Sequence, residues 1–287
     1  MTVKSNEEVL DRENGLRIFV RSWHPSGTPR AVVAICHGVK SHSGYYQWIA
    51  EQMVANGLAV YALDLRGRGR SEGERFFVED VSQYVDDVSA LIELARHREG
   101  DLPLFLLGHS AGGVVSSTYV LDNQERLAGF ICESFAYQVY APNFLLTVIK
   151  AISRIVPRLP VLRLKNKDFS RDPTVVASMN TDPLIAGEVQ PLATVAALSR
   201  ANDRLKTGFA SIRCPILILH GTDDKVTRAS GSLEFQEMAG AADKTLKLYD
   251  RHSHDLFNDF GRERVVLDVL AWIDTRLSVV KGLSAVG

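Results

Sequence analysis

Six short apolar runs, at residues 31–36, 58–63, 104–107, 127–132, 216–219 and 245–249, are rich in β-branched residues or leucine. Runs this continuous suit strands buried on both faces, as in a parallel sheet; half-exposed strands alternate instead. Between them lie helical patterns at 45–56, 78–98, 111–123, 227–239 and 262–277. The second of these places Val81, Val85, Val88, Leu91, Ile92 and Ala95 at helical spacing and ends before Gly100. Strand–helix alternation of this kind predicts a doubly wound, mostly parallel α/β sheet. An alternating stretch from Leu16 to Trp23 predicts an antiparallel edge strand. Residues 137–206 break the rhythm, with apolar helical stretches and Pro-marked turns but no strand pattern. So long an insertion between two strands reads as a helical cap, which divides the chain into a core, 1–136 and 207–287, and a cap, 137–206.

The 287 residues are 46% hydrophobic and 23% charged, which excludes a disordered or collagen-like chain. A net charge of −1 provides no field to recruit nucleic acid. No apolar run approaches the roughly 18 residues of a membrane span. Met1 to Gly15 is polar and acidic with no signal-peptide core, so a cytoplasmic chain is expected, of open oligomeric state. Cys36, Cys132 and Cys214 form no CxxC pair or Cys/His cluster with metal spacing. They read as buried free thiols in a reducing compartment, and no metal site is expected.

The stretch from Leu104 to Gly113 is the most informative. It contains Gly108-His109-Ser110-Ala111-Gly112, a G-x-S-x-G set between an apolar run and a helical pattern. A sharp strand-to-helix turn strains the serine backbone and tolerates only small neighbours, hence the glycines. The helix start then directs free N–H groups and its positive dipole end toward the reacting oxygen. Serine is a poor nucleophile at neutral pH and needs a base that is itself oriented by an acid.

In this architecture the partners follow in the order acid, histidine. The run at 216–219 leads into His220-Gly221-Thr222-Asp223-Asp224, so Asp223 and Asp224 compete for the acid, and a helix N-cap ahead of Val226 suits the other. The last run leads into Arg251-His252-Ser253-His254, which offers two bases. Residues two apart in a short loop cannot both reach Ser110. Two N–H donors are needed for an oxyanion hole: Ala111, after the nucleophile, and Val39, after the strand end at His37-Gly38.

Several ordered motifs resemble the monoacylglycerol lipase and lysophospholipase branch of the α/β-hydrolase superfamily. They are His37-Gly38 with His42-Ser43-Gly44, the segment from Asp64 to Gly73, Phe105 to Ser110, Asp182-Pro183-Leu184, and Asp243 to Lys247. The resemblance runs from about Asn14 to Leu277. By position it implies Asp224 as acid, His254 as base, and Val39 and Ala111 as oxyanion donors. It implies hydrolysis of a single acyl ester, often of glycerol, by a serine mechanism with no metal and no dissociable cofactor. A lysophospholipase, thioesterase, peptidase or acyltransferase on the same scaffold is the alternative, and a non-catalytic binding protein, a class that generally lacks a triad member, ranks behind it. Three positions depart from the family pattern: Ala111 where methionine is common, Arg68 where Gly-His-Gly is usual, and Glu133 where relatives carry small residues. Some superfamily members draw their acid from the last region, which makes Glu133 a rival to Asp224.

Within the cap, Lys150, Arg154 and Arg158 fall at i, i+4 and i+8 beside an apolar stretch that begins at Phe144. This spacing predicts one amphipathic helix, packed over the acyl site or resting on an anionic lipid surface as a peripheral contact.

Overall fold

The computed structural model describes residues 4–12 and 15–284; Met1, Thr2, Val3, Glu13 and Asn14 from the N-terminal segment read above lie outside them. Eight strands form the main sheet: β1 (Asn6–Asp11), β2 (Arg17–Trp23), β3 (Ala31–Cys36), β4 (Leu58–Leu63), β5 (Leu104–His109), β6 (Gly129–Glu133), β9 (Ile216–Gly221) and β10 (Lys244–Tyr249). Two further strands, β7 (Pro160–Leu162) and β8 (Gln190–Pro191), pair with each other in the insertion. The helices are α1 (Gln47–Ala55), α2 (Ser82–Glu99), α3 (Ala111–Asn123), α4 (Asn143–Ile152), α5 (Pro173–Thr181), α6 (Leu192–Gly208), α7 (Ala229–Met238) and α8 (Arg262–Ser284).

The strand order is β1-β2-β4-β3-β5-β6-β9-β10, parallel from β4 through β10 and antiparallel at β1 and β2. All six apolar runs are strands of this sheet, and β3, β4, β5, β6 and β9 are buried along their full length. Successive side chains alternate between two cores, as the period of two demands. Leu106 and Phe130 face α2, α3 and α7, whereas Phe105 and Ile131 face α1 and α8. Gly129 lets α8 approach, since a Cβ there would lie 2.6 Å from the Trp272 ring.

Three expectations change. The strand read at Leu16–Trp23 is antiparallel but not at the edge, because β1 pairs outside it. The insertion is mainly helical yet also contains β7 and β8, each carrying a proline and too short for a periodic signal. The basic stripe is not on one helix: α4 ends at Ile152, where the Ser153 hydroxyl donates to the Lys150 carbonyl at 2.9 Å. Arg154 and Arg158 lie beyond that end.

The order reverses between β3 and β5, so the loops after these strands leave the carboxyl edge in opposite directions and open a crevice. Register keeps the strand ends level: Cys36 pairs with Gly108, Gly108 with Cys132, and Gly221 with Tyr249. The loops after β3, β5, β9 and β10 therefore meet on one rim. The insertion lies against that rim, with its own small core of Phe169, Met179 and Ile185 packed on Tyr45 and Val226. Arg171 of the insertion pairs with Asp259 at 2.8 Å, and the Phe169 carbonyl accepts from the Asp255 N–H at 2.8 Å.

Candidate active site

Ser110 sits between β5 and α3 with φ 55° and ψ −119°, a conformation that costs a non-glycine residue about 1–3 kcal/mol. Its surroundings hold it there. The Ser110 N–H donates to the Glu133 carbonyl at 2.8 Å, and the glycines admit no side chain. A Cβ on Gly108 would stand 2.7 Å from the Gly112 carbonyl, and one on Gly112 would stand 2.3 Å from the Cys36 carbonyl.

His254 and Asp224 complete a line. Ser110 Oγ is 2.8 Å from His254 Nε2, and His254 Nδ1 is 2.7 Å from Asp224 Oδ2. A carboxylate only accepts, so Nδ1 carries the hydrogen and Nε2 accepts from the serine hydroxyl. His254 is fully buried, with the edge of the Phe169 ring 5.1 Å away between centroids. The Ser134 hydroxyl donates to the His254 carbonyl at 2.6 Å and fixes the loop. Burial alone would push the Asp224 carboxyl up. The two imidazoles that face its Oδ2, His254 and His220, favour the carboxylate through their N–H groups and outweigh burial, which holds the group far below the usual carboxylate range.

Asp223 is exposed and takes no part. The turn-capping bonds expected of the other aspartate belong to Asp224 itself: its Oδ1 accepts from the N–H groups of Val226 at 2.7 Å and Thr227 at 2.9 Å. One carboxylate thus shapes its own turn with Oδ1 and holds His254 with Oδ2. His252 turns away, its Nδ1 3.0 Å from the Asp250 carbonyl and its ring 5.5 Å from Tyr249.

Glu133 does not touch His254. Its Oε2 pairs with His109 Nδ1, and its Oε1 accepts from the Leu256 N–H at 2.8 Å. Both residues are buried, and the His109 ring stands 4.9 Å from that of His254. Burial disfavours charge on His109, but the Glu133 carboxylate prevails and raises the imidazole to about 9. Unfolded, the group titrates near 6.5. The stability this pair contributes is therefore complete below about pH 6.5 and is lost as pH rises through about 9, a difference of about 3 kcal/mol. Denaturant unfolding measured from pH 6 to 10 should show that decline, and Glu133→Gln should flatten it. An equally steep decline in the variant would remove the pair as its cause.

The loop after β3 lies against the elbow: a Cβ on Gly38 would stand 2.9 Å from both the His109 carbonyl and Ser110 Cβ. His37 anchors it. Nε2 accepts from the Leu65 N–H at 3.0 Å, so Nδ1 carries the hydrogen and donates to the Gly38 carbonyl at 2.6 Å. Burial lowers this imidazole to about 4, which keeps it neutral. Val39 and Ala111 follow on the two facing loops, each under a tenth exposed. Among the described residues, neither backbone N–H is taken up by an acceptor within the chain.

Motif reading does not point to Thr227, Ser134 or His220 as parts of this network, and it points to Glu133 only as a rival acid, not as the partner of His109. The only signal for that pair is register, because His109 and Glu133 are direct partners on adjacent strands. The three cysteines are buried and free, and burial pushes the Cys36 and Cys214 thiols up to about 12. A cleft of about 590 Å³ between α4 and α6, bordered by Lys150, Asn202, Lys206 and Arg228, contains none of Ser110, Asp224 and His254.

A family model described as serine aminopeptidase, S33, matches residues 27–260. A monoacylglycerol lipase of Mycolicibacterium smegmatis is 32% identical over 265 residues, covering 92% of this chain and 95% of that one. Human monoglyceride lipase is 31% identical over 272 residues, with 93% and 90% covered. Among solved structures, the monoacylglycerol lipase of Paleococcus ferrophilus superposes with a TM-score of 0.81 at 26% identity over 90% of this chain and 99% of that one. A soluble variant of the Saccharomyces cerevisiae monoglyceride lipase, in complex with a substrate analog, shares the fold with a TM-score of 0.85 at 20% identity, with 96% and 95% covered. Matched in sequence and in fold over nearly its whole length, the chain belongs to the monoacylglycerol lipase branch of the α/β-hydrolase superfamily and is a carboxylic-ester hydrolase.

Proposed function

We propose that the chain hydrolyses monoacylglycerols or similar lipid monoesters through an acyl-enzyme on Ser110. The observation that carries this reading is the unbroken line from Ser110 Oγ through His254 to Asp224 Oδ2, with steps of 2.8 and 2.7 Å, on the rim of the sheet. His254 Nε2 takes the hydroxyl proton as Oγ attacks the ester carbon. The carbonyl electron pair moves onto oxygen, where the Val39 and Ala111 N–H groups receive it. The tetrahedral adduct collapses, the protonated His254 delivers its proton to the departing glycerol oxygen, and an acyl-serine remains. Water repeats the sequence: His254 takes one water proton, hydroxide adds to the acyl carbon, and Ser110 leaves with the proton returned. Asp224 holds the tautomer and stabilises the imidazolium. Each oxyanion donor contributes about 2.7–4 kcal/mol to transition-state stabilisation.

Esters from two to eighteen acyl carbons, with glycerol, lysophospholipid and aryl leaving groups, test the substrate class. Aminoacyl anilides, suggested by the family model's description, provide the comparison. Fastest turnover on glycerol monoesters is expected. Faster cleavage of the anilides would replace the ester reading with a peptidase one.

Residues 137–206, acting as a cap, also provide the docking surface for a lipid phase. Phe144 is 71% and Ile155 79% exposed, and Leu145, Val148, Ile152, Val156 and Leu159 of the same segment are exposed too. Two of the three cations of the basic stripe are engaged: Lys150 pairs with Asp203 at 2.5 Å, and Arg158 pairs with Glu74 through two bonds of 2.8 and 2.9 Å, while Arg154 is exposed. Apolar burial therefore carries the docking. In sedimentation, neutral and anionic vesicles should bind the chain alike, and high salt should not release it. Phe144→Ser with Ile155→Ser should weaken binding at least tenfold, since burying each side chain contributes about 1.5–3 kcal/mol. Binding confined to anionic vesicles and reversed by salt would return the role to the cations.

A further inference from the structure

The loop that carries Val39 is held from two sides. His37 and Gly38 fix its start against β4 and the elbow. Its far side is fixed by a residue of the insertion, because the Lys40 N–H donates to Glu188 Oε1 at 2.9 Å. Lys40 adopts a φ of 57°, a left-handed conformation that a lysine does not favour and that needs an external restraint. Glu188 Oε1 is in turn fixed by Arg68 Nη1 and Gln190 Nε2, each at 2.6 Å. The second guanidinium nitrogen of Arg68 donates to Gln190 Oε1 at 2.7 Å, and its Nε donates to the Tyr84 hydroxyl at 3.1 Å. Arg68 and Glu188 are each 2% exposed, so neither has water as an alternative partner.

From this geometry we propose that Glu188 is a positioning residue for the oxyanion hole: by accepting the Lys40 N–H, it sets the torsions on either side of Val39 and aims the Val39 N–H at the reacting oxygen. The proposal rests on the reading of Val39 as an oxyanion donor. Arg68, the departure from the family's Gly-His-Gly, positions Glu188. Because Glu188 is carried by the insertion and Lys40 by the core, displacing the insertion withdraws the acceptor and loosens the hole. The insertion thereby acts on the transition state as well as on access.

Two double variants separate positioning from buried charge. Arg68→Met with Glu188→Leu removes both charges and the acceptor. Arg68→Met with Glu188→Gln removes both charges and retains an acceptor for the Lys40 N–H. The leucine pair should lose about 10- to 100-fold in kcat, short of the 10²–10³ lost with a whole donor, while KM stays within threefold. It should lose the same factor in affinity for an alkyl boronic acid, whose serine adduct places an oxygen in the hole. The glutamine pair should regain at least tenfold of that loss in both measurements. Equal kcat in the two pairs, or a change confined to KM, would overturn the proposal. Should the leucine pair fail to fold, Glu188→Asp keeps the charge for Arg68 and withdraws the carboxylate by one methylene. An unchanged kcat and boronate affinity there would overturn it equally. Failure of the underlying reading shows elsewhere, as turnover retained by Ser110→Ala with Arg68 and Glu188 unchanged.

Discussion

Ser110→Ala is expected to lower kcat on a monoacylglycerol by about a million-fold, the loss found when a serine hydrolase is deprived of its nucleophile. What remains is the acceleration due to binding and the oxyanion donors alone. The change removes one hydroxyl from a residue that is 2% exposed. It leaves the β-carbon, and hence the left-handed backbone, in place. The hydrogen bond lost is the 2.8 Å contact to His254 Nε2, which leaves that nitrogen without its partner. Stability should therefore fall by about 1–3 kcal/mol, the cost of leaving one buried acceptor unpaired, with the fold retained. The variant should also give no burst of p-nitrophenol from p-nitrophenyl butyrate, where the unmodified chain releases one equivalent. Retention of more than a tenth of the turnover would remove Ser110 from the mechanism.

The parts of the fold that were legible in sequence are those whose burial is two-sided. β3 and β4 leave a continuous apolar signal with the same bounds in sequence and in structure. β1 leaves none. Asn6, Glu7, Glu8 and Asp11 make it polar, and its pairing with β2 rests on backbone bonds and on the ion pair between Glu7 and Arg21, which face each other in the register. Without β1, β2 reads as an edge. The end of α4 was equally hidden. Nothing apolar changes at Ile152, and the stop is local, from a serine hydroxyl competing for a helix carbonyl. At the site, sequence shows which residue types follow which strand and in what order. It does not show which strands are neighbours. The pairing of Glu133 with His109 depends on β5 lying beside β6, and the bond from Glu188 to Lys40 spans 148 residues of chain. Arg68 reads in sequence as an unexplained charge because Glu188 and Gln190, which bond its two terminal nitrogens, lie 120 and 122 residues further along the chain.

His254→Ala is expected to cost about as much as loss of the nucleophile, because the serine hydroxyl and its base act as a unit and either deletion disables both. His252→Ala should leave kcat within a fewfold, although the two residues are near neighbours in one loop. The difference lies in direction. His254 projects onto the line between Ser110 and Asp224, whereas His252 bonds the Asp250 carbonyl and packs at a tilt against Tyr249. Asp224→Asn should fall between them, at about 10⁴-fold in kcat, since an amide can donate to Nδ1 and so favours the wrong tautomer. That substitution also removes the anion facing both His254 and His220, each of which bonds Oδ2. The carboxyl is held far below its ordinary range in the folded chain, so it contributes stability above the unfolded carboxylate pKa near 3.9 that is lost as pH falls further. Asp224→Asn should accordingly reduce stability at neutral pH and weaken its acid dependence, alongside the loss of turnover. Full activity in this variant, with inactivity in Glu133→Gln, would transfer the acid role to Glu133 and would require His109 to release it.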